Sequence, residues 1–118
     1  RAEKVQKKAK KAGFDWPDVS GALDKLSEEL EELKTAVAEG TNVEEELGDL
    51  LFSAVNVSRF VKVDTEEALN RATDKFIGRF RKVEEEAARQ GRAERIGRNP
   101  KGMSLAELDK LWEHAKET

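Results

Sequence analysis

The chain has no cysteine, no tyrosine, two prolines and a single histidine among its 118 residues. Without cysteine it forms no disulfide, no zinc–thiolate site and no thiol nucleophile. A di-iron carboxylate bundle needs a histidine three residues after a glutamate on two helices, so the lone His114 excludes that class. No apolar run approaches the roughly 20 residues of a membrane span, and no signal peptide is visible. We therefore expect a cytoplasmic protein with no membrane association.

Length and charge indicate a small, highly charged helical domain. Charged residues make up 40% of the chain and apolar residues 37%, which is typical of long exposed helices, and the net charge of −3 offers no general basic surface for nucleic acid. We expect one all-α domain, residues 1–118, that forms a bundle of about four to five helices. Leu50–Val55 is apolar nearly all round, which predicts that dimerisation completes the core of a homodimer. The chain begins at Arg1 without methionine, so we expect it to be a segment of a longer protein.

Five amphipathic helices are predicted from the hydrophobic period and from residues that end or cap a helix. Gly13 and Gly40 end the first two, since glycine readily adopts the left-handed conformation at a helix C-terminus. Asn42, Asp64 and Ser104 each stand three residues before a glutamate, as in a capping box. The predicted helices are residues 1–12, 18–39, 42–61 and 65–90, then a mobile loop at 91–103 and a last helix that starts after Ser104.

Two aromatic residues lie in the short connector between the first two helices. Phe14 and Trp16 follow Gly13 and precede Pro17. Aromatic side chains in such connectors more often pack into a core than contact a ligand. We interpret both as core residues.

Two acid-x-x-acid signatures lie on the second and third predicted helices. They are Glu29 with Glu32, and Glu46 with Asp49. Residues three apart lie on nearly the same face of a helix, so two antiparallel helices would bring four carboxylates together. Clustered carboxylates repel one another unless a cation neutralises them. Hard cations with oxygen ligands, Mg²⁺ or Mn²⁺, fit such a cluster.

Helical geometry indicates which carboxylates face inward. At about 100° per residue, Glu29 and Glu32 lie roughly 60° and 120° from the centre of the apolar stripe of their helix. Glu46 and Asp49 lie roughly 40° and 100° from the centre of theirs, whereas Glu28 lies about 140–160° away and should be solvated. The alternative is that all of these are exposed charges on amphipathic helices, where glutamate is common.

A basic pair lies on the fourth predicted helix. Lys75 and Arg79 are four residues apart and flank a stripe that contains Phe76 and Phe80. The pair either binds an anionic ligand or consists of solvated side chains whose methylene groups cover the aromatic rings.

Taken in order, these segments resemble the MazG nucleoside triphosphate pyrophosphohydrolases. The matching segments are Lys25–Glu32, Glu44–Phe52 and Lys75-Phe76-x-x-Arg79-Phe80, and Gly13–Trp16 and Trp112 fit the same family. The resemblance covers nearly the whole chain. One acid-x-x-acid signature is weak evidence, but two in this order followed by the basic motif are strong evidence together.

The resemblance implies a dimeric all-α enzyme that requires Mg²⁺ and cleaves nucleoside triphosphates to a monophosphate and pyrophosphate. Members often carry the module twice, and this sequence resembles the C-terminal, active copy. A non-catalytic helical dimerisation module of the same fold is the alternative from another class. The resemblance implies metal ligation and catalysis by Glu29, Glu32, Glu46 and Asp49, and substrate contacts from Lys25, Lys75, Arg79 and Trp112.

Overall fold

The computed structural model describes residues 1–89 and 104–117, and this part of the chain contains five α-helices and no strand. The predicted all-α class is confirmed, while the predicted loop at 91–103 lies outside the described residues. Among the described helices, none combines the length and apolar content of a membrane-crossing segment. The helices are α1 (Ala2–Lys11), α2 (Val19–Glu39), α3 (Val43–Phe60), α4 (Thr65–Arg89) and α5 (Leu105–Glu117).

The chain divides into two compact units, residues 1–68 and 69–118. The first unit contains α1, α2 and α3, with α3 packed against both other helices. The second unit contains α5 and α4 from Leu69 onward. The prediction of one domain over the whole chain stays a prediction.

A tight connection turns the chain between α2 and α3. Gly40 ends α2 with φ 71°, and Asn42 precedes α3 with φ 56°, so both are left-handed. The prediction that Gly40 ends the helix is confirmed, but the predicted capping box of Asn42 and Glu45 is wrong, because the Asn42 side chain makes no capping hydrogen bond. A capping side chain normally requires extended backbone at its own residue. The short turn instead uses Asn42 for the left-handed conformation, which asparagine tolerates.

The other two predicted helix caps form, and the one at Ser104 and Glu107 is a reciprocal capping box. The backbone N–H of Glu67 donates to Asp64 Oδ1 at 2.9 Å at the start of α4. At the start of α5, the N–H of Glu107 donates to Ser104 Oγ at 3.1 Å, and the N–H of Ser104 donates to Glu107 Oε1 at 3.4 Å. Both helix starts therefore follow from local sequence.

The buried face of α2 consists of Ala22, Glu29 and Ala36. These residues are seven apart, or nearly two turns, so they form one line along the helix. On α3 the buried residue is Ser53. Small side chains at these positions allow close approach of the two helices, and the carboxylate of Glu29 lies in the same buried line as the alanines.

The aromatic residues of the connector between α1 and α2 are more exposed than the sequence predicts. Phe14 is 82% exposed and Trp16 is 43% exposed, so the prediction that both fill the core is wrong within this chain. Trp16 instead lies over Gly21, where an added Cβ would come within 3.0 Å of the indole ring. The connector is held by Asp15, which accepts hydrogen bonds from Arg59 Nη1 at 3.0 Å and Nη2 at 2.7 Å.

The core of the described chain is made of small residues. Its buried apolar side chains are Ala22, Ala36, Val83, Ala87 and Ala115, and no described large side chain is fully buried. Within the second unit, Val83 and Ala87 of α4 and Ala115 of α5 are buried, and the rings of Phe76 and Trp112 join the two helices. A core this small buries little apolar surface for the residues that the structure describes.

The Asp15–Arg59 pair generates a stability prediction. The hydrogen bonds from Arg59 lower the pKa of Asp15 below its ordinary value, and the two side chains are only 14% and 8% exposed. Asp15→Asn should therefore lower the free energy of unfolding by about 2–3 kcal/mol at neutral pH, measured by urea titration.

The pH dependence follows from the direction of that pKa shift. Ionised Asp15 stabilises the fold above the unfolded-state pKa of about 3.9, and this contribution is lost as pH falls further, through the lowered folded-state pKa. The difference between wild type and Asp15→Asn should be constant above about pH 5 and shrink below about pH 4. The exposed Asp24→Asn is the matched control, and an equal loss of stability there would contradict the prediction.

Candidate metal centre

The four predicted carboxylates gather on α2 and α3. One carboxylate oxygen from each of Glu29, Glu46 and Asp49 lies within 4.8 Å of the others. A second group with the same spacing consists of Glu28, Glu29 and Glu32. Glu29 belongs to both groups, so it is the residue around which the cluster is built.

Glu29 is buried in the seam between α2 and α3, with 4% of its surface exposed. Its Oε1 lies 2.9 Å from Lys25 Nζ, whereas its Oε2 is buried with no hydrogen-bond partner among the described residues. Burying an ionised oxygen without a partner is costly. The sequence analysis placed Glu29 on the flank of the apolar stripe; in the structure it lies in the line of buried residues itself.

The α3 carboxylates differ in exposure. Glu46 is half-buried, and its Oε2 is also buried without a partner among the described residues, while Asp49 is exposed. This order agrees with the angular prediction, in which Glu46 lay closer to the apolar stripe than Asp49. The cluster therefore has a buried end at Glu29 and Glu46 and an exposed end at Asp49 and Glu32.

The charges of the cluster influence one another. The negative charge of Glu29 is the largest cause that raises the pKa of Glu32 above its ordinary value, and the charge of Glu46 raises it further. The hydrogen bond to Glu29 is the main cause that raises the pKa of Lys25. One lysine thus offsets part of the charge of several carboxylates. The remaining negative charge favours binding of a cation.

Glu28 is the residue whose part in the cluster the sequence analysis missed. It is exposed, as predicted, yet its carboxylate lies within 4.8 Å of Glu29 and Glu32 and its Oε1 lies 3.4 Å from Lys25 Nζ. Helical angle describes the direction of a side chain at Cβ and ignores how far a glutamate reaches. Its position three residues after Lys25 was the available signal, because residues three apart interact on a helix.

The three other predicted substrate residues lie in the second unit. Lys75 is exposed and Arg79 half-buried on α4, and Trp112 is half-buried on α5. The Trp112 ring contacts Phe76, with centroids 4.9 Å apart. This contact gives Trp112 a packing role, and the substrate roles of all three residues stay predictions.

An open cleft of about 490 Å³ borders the carboxylates in the first unit. Its walls include Glu28, Glu32 and Glu46 together with Thr41 and Asn42 of the α2–α3 turn. The donor atoms offered to a cation are all oxygens, which suits Mg²⁺ or Mn²⁺. The cleft leaves room for a ligand beside such an ion.

A known protein family matches the segment that carries these carboxylates. A family model described as the MazG nucleotide pyrophosphohydrolase domain matches residues 17–84. The matched segment contains all four predicted carboxylates as well as Lys25, Lys75 and Arg79, and it ends before Trp112.

Individual relatives extend the similarity over nearly the whole chain. The chain is 46% identical, over 98% of its length and 42% of the relative, to the Thermotoga maritima protein named nucleoside triphosphate pyrophosphohydrolase/pyrophosphatase MazG. It is 37% identical, over 98% of its length and 43% of the relative, to the Escherichia coli K12 nucleoside triphosphate pyrophosphohydrolase. An uncharacterised Bacillus subtilis protein, YabN, is 47% identical over 65% of the chain and 14% of its own length. The chain thus spans less than half the length of these curated relatives.

The carboxylate geometry predicts stabilisation by a divalent cation. Mg²⁺ that binds only the folded state should raise the melting temperature. At a Mg²⁺ concentration one hundred times the dissociation constant, the free energy of unfolding should rise by about 2.7 kcal/mol. Glu29→Gln should greatly reduce this rise, because Glu29 belongs to both carboxylate groups. Thermal scans with and without Mg²⁺ measure the effect. The exposed Glu44→Gln is the matched control, because Glu44 lies outside both carboxylate groups and outside the wall of the cleft, and equal rises in the two variants would contradict the assignment.

Proposed function

The chain belongs to the MazG nucleotide pyrophosphohydrolase family, and from this membership we propose that it hydrolyses nucleoside triphosphates to a nucleoside monophosphate and pyrophosphate. The observation that carries the proposal is the cluster of Glu29, Glu46 and Asp49, whose oxygens lie within 4.8 Å of one another. Its substrate is abundant in the cytoplasm, so the proposal includes a cytoplasmic location.

The residues of the cluster fit a divalent cation. Two buried oxygens, Glu29 Oε2 and Glu46 Oε2, lack partners among the described residues, and a cation would satisfy both. Glu29, Glu32, Glu46 and Asp49 would hold Mg²⁺, or Mn²⁺, with Glu29 shared between the two carboxylate groups. When bound, the ion neutralises charge on the phosphate oxygens and lowers the pKa of a bound water that supplies the nucleophile.

The basic residues would neutralise the negative charge of the substrate. Lys25 Nζ lies 2.9 Å from Glu29 Oε1, so its ammonium is beside the carboxylates, where it would also donate to a phosphate oxygen. Attack at the α-phosphorus releases pyrophosphate, whose negative charge Lys75 and Arg79 would balance. Trp112 would lie beside the nucleotide, as the family resemblance implies.

We also propose that the working form is a homodimer. Large apolar residues of α2 and α3 that lie outside the buried line form exposed flanks. They are Leu23, Leu30, Val37, Leu47 and Leu51, which are between 42% and 61% exposed. Apolar flanks of this kind mark surfaces that associate. A second copy of the chain is the occupant that would also enlarge a core made of small residues. A non-catalytic dimerisation module would share this feature, so turnover separates the two readings.

Turnover of a nucleotide panel tests the enzyme assignment. With Mg²⁺, chromatography should show a nucleoside monophosphate and pyrophosphate, and excess chelator should abolish both. Glu29→Ala should lower kcat/KM at least about a hundredfold, about 2.7 kcal/mol of transition-state stabilisation, because it removes the shared carboxylate.

The matched control for activity is Glu44→Ala, in the first turn of α3. Glu44 is exposed and lies outside both carboxylate groups and outside the wall of the cleft, so its loss should change kcat/KM less than about threefold. Equal losses in the two variants, with circular dichroism showing both folded, would overturn the site. Release of nucleoside diphosphate and phosphate would overturn the reaction.

Sedimentation tests the dimer. At micromolar concentration the protein should sediment at twice the 13.3 kDa mass of the chain. Leu51→Asp should reduce the dimer fraction, since it places a charge on the exposed apolar flank of α3. A single 13.3 kDa species for the wild type would reject the proposal.

A further inference from the structure

The segment that contains α1 carries a local excess of positive charge. Residues 1–12 contain six basic side chains and one acidic side chain, a net charge of +5, whereas the whole chain has a net charge of −3. The overall negative charge, from which the sequence analysis expects no surface for nucleic acid, hides this asymmetry. A basic segment on an otherwise acidic chain indicates a local surface for an anionic partner.

Three lysines of α1 form a stripe that faces away from α3. Gln6 is the buried residue of α1, and its Nε2 donates to the carbonyl of Phe52 on α3 at 2.9 Å. At about 100° per residue, Lys4, Lys8 and Lys11 lie about 140–160° from Gln6 around the helix. All three are exposed, and we call them the lysine stripe. The hydrogen bond of Gln6 therefore fixes the direction in which the stripe faces.

The lysine stripe is not neutralised within the part of the chain that the structure describes. Lys7, on its flank, pairs with Glu3 at 2.9 Å, but no lysine of the stripe forms an ion pair with a described residue. Like charges three or four residues apart destabilise a helix. The helix macrodipole favours cations only near the C-terminus, so it does not account for Lys4 in the first turn. Negative charge on a ligand would relieve this repulsion.

An exposed aromatic ring lies at the C-terminal end of the same helix. The backbone N–H of Phe14 donates to the carbonyl of Ala9 at 2.9 Å, which ties Phe14 to the end of α1. Its side chain is 82% exposed and does not belong to the apolar flanks of the proposed dimer. Proteins that bind single-stranded nucleic acid combine a basic surface, which contacts the phosphates, with aromatic rings on which the bases stack.

The composition of α1 distinguishes among anionic partners. A helix that lies on an anionic membrane needs bulky apolar residues such as tryptophan, phenylalanine or leucine opposite its basic face. The face of α1 opposite the lysine stripe instead contains Gln6, and the apolar residues of the helix are Ala2, Val5 and Ala9. An acidic polypeptide matches the charge but has no bases to stack on the ring of Phe14. A single strand of nucleic acid matches both features.

We propose that the lysine stripe and Phe14 form a binding surface for single-stranded nucleic acid. The stripe extends about 10 Å along the helix axis, at 1.5 Å per residue, so it contacts a short stretch of one strand. Ammonium groups and a ring face do not read the edges of bases, so binding is independent of sequence. The surface contains no residue of the carboxylate cluster, and the inference therefore does not depend on the proposed hydrolysis.

Fluorescence anisotropy tests the surface. Fluorescein-labelled polyuridine RNA and polythymidine DNA, each about 20 nucleotides and so longer than a typical site on one domain, are titrated with the full chain in excess chelator. Both strands should bind alike, because neither the lysines nor the ring contact the sugar. Three phosphate contacts should make the affinity fall about twentyfold between about 50 mM and about 200 mM salt.

A triple variant isolates the lysine stripe. Changing Lys4, Lys8 and Lys11 together to glutamine should weaken binding and reduce the fall over the same salt range to less than about threefold. Glutamine is a good helix former, so the variant should fold, which circular dichroism checks. The matched control removes the same charge by glutamine substitution of three exposed lysines outside α1, which are Lys34, Lys62 and Lys110. Equal losses in the two variants would overturn the inference.

Substitution of Phe14 tests the stacking of bases. Phe14→Ala should weaken binding at least about fivefold, whereas Phe14→Trp should retain it. Val61→Ala is the matched control, since Val61 is an apolar residue that is 52% exposed and lies outside α1. Unchanged affinity in Phe14→Ala, or an equal loss in Val61→Ala, would contradict the inference.

Other polyanions supply the remaining controls. Polyglutamate of matched charge, a duplex of the same length and vesicles that contain phosphatidylserine should each bind more weakly than the single strand at the same salt concentration. Equal or tighter binding of polyglutamate or duplex would mean that charge alone is recognised, and equal or tighter binding of vesicles would assign the surface to a membrane. Each of these results, a strong preference for one sugar, or no binding of either strand at low salt would overturn the inference.

Discussion

A carboxylate buried between two helices is the constraint on which the first unit depends. Glu29 occupies the same buried line of α2 as Ala22 and Ala36, where apolar residues normally pack. Only one of its oxygens is paired, with Lys25. Burial of a charged group that is only partly paired destabilises the fold, and apolar packing does not offset that cost. The neighbouring carboxylates increase that cost and raise the pKa of Glu32. The metal site that we propose would explain why a helix carries this charge in its seam.

The small core follows from the same arrangement. Close approach of α2 and α3 requires small side chains along their line of contact, so the larger apolar residues fall on the flanks. Those flanks are exposed in the single chain, which concentrates apolar surface where a second copy can cover it. The connector between α1 and α2 is held against α3 by the Asp15–Arg59 pair rather than by aromatic packing. The rings of Phe14 and Trp16 therefore stay exposed within the first unit.

Three predictions from local sequence differ from the structure, because tertiary contacts or side-chain length decide the outcome. Asn42 has the residue type and spacing of a helix cap, but the short reversal between α2 and α3 holds its backbone in the left-handed region. Phe14 has the large apolar side chain that is typical of a core residue, but nothing in the first unit covers it. Glu28 points outward by helical angle, yet its long side chain joins the carboxylate group. Each case depends on atoms distant from the residue or on side-chain reach, which periodicity does not describe.

The sequence by itself determined the all-α class, the start and end of α2, the caps of α4 and α5, and the inward direction of Glu29 and Glu46. These features depend on residues within a few positions of one another, so spacing and capping chemistry are sufficient to predict them. Only the tertiary structure decided that Glu29 lies in the helix seam with an unpaired oxygen. The Asp15–Arg59 pair and the hydrogen bond from Gln6 to the carbonyl of Phe52 were decided in the same way. These two contacts join residues more than forty positions apart, and their geometry depends on how the helices pack.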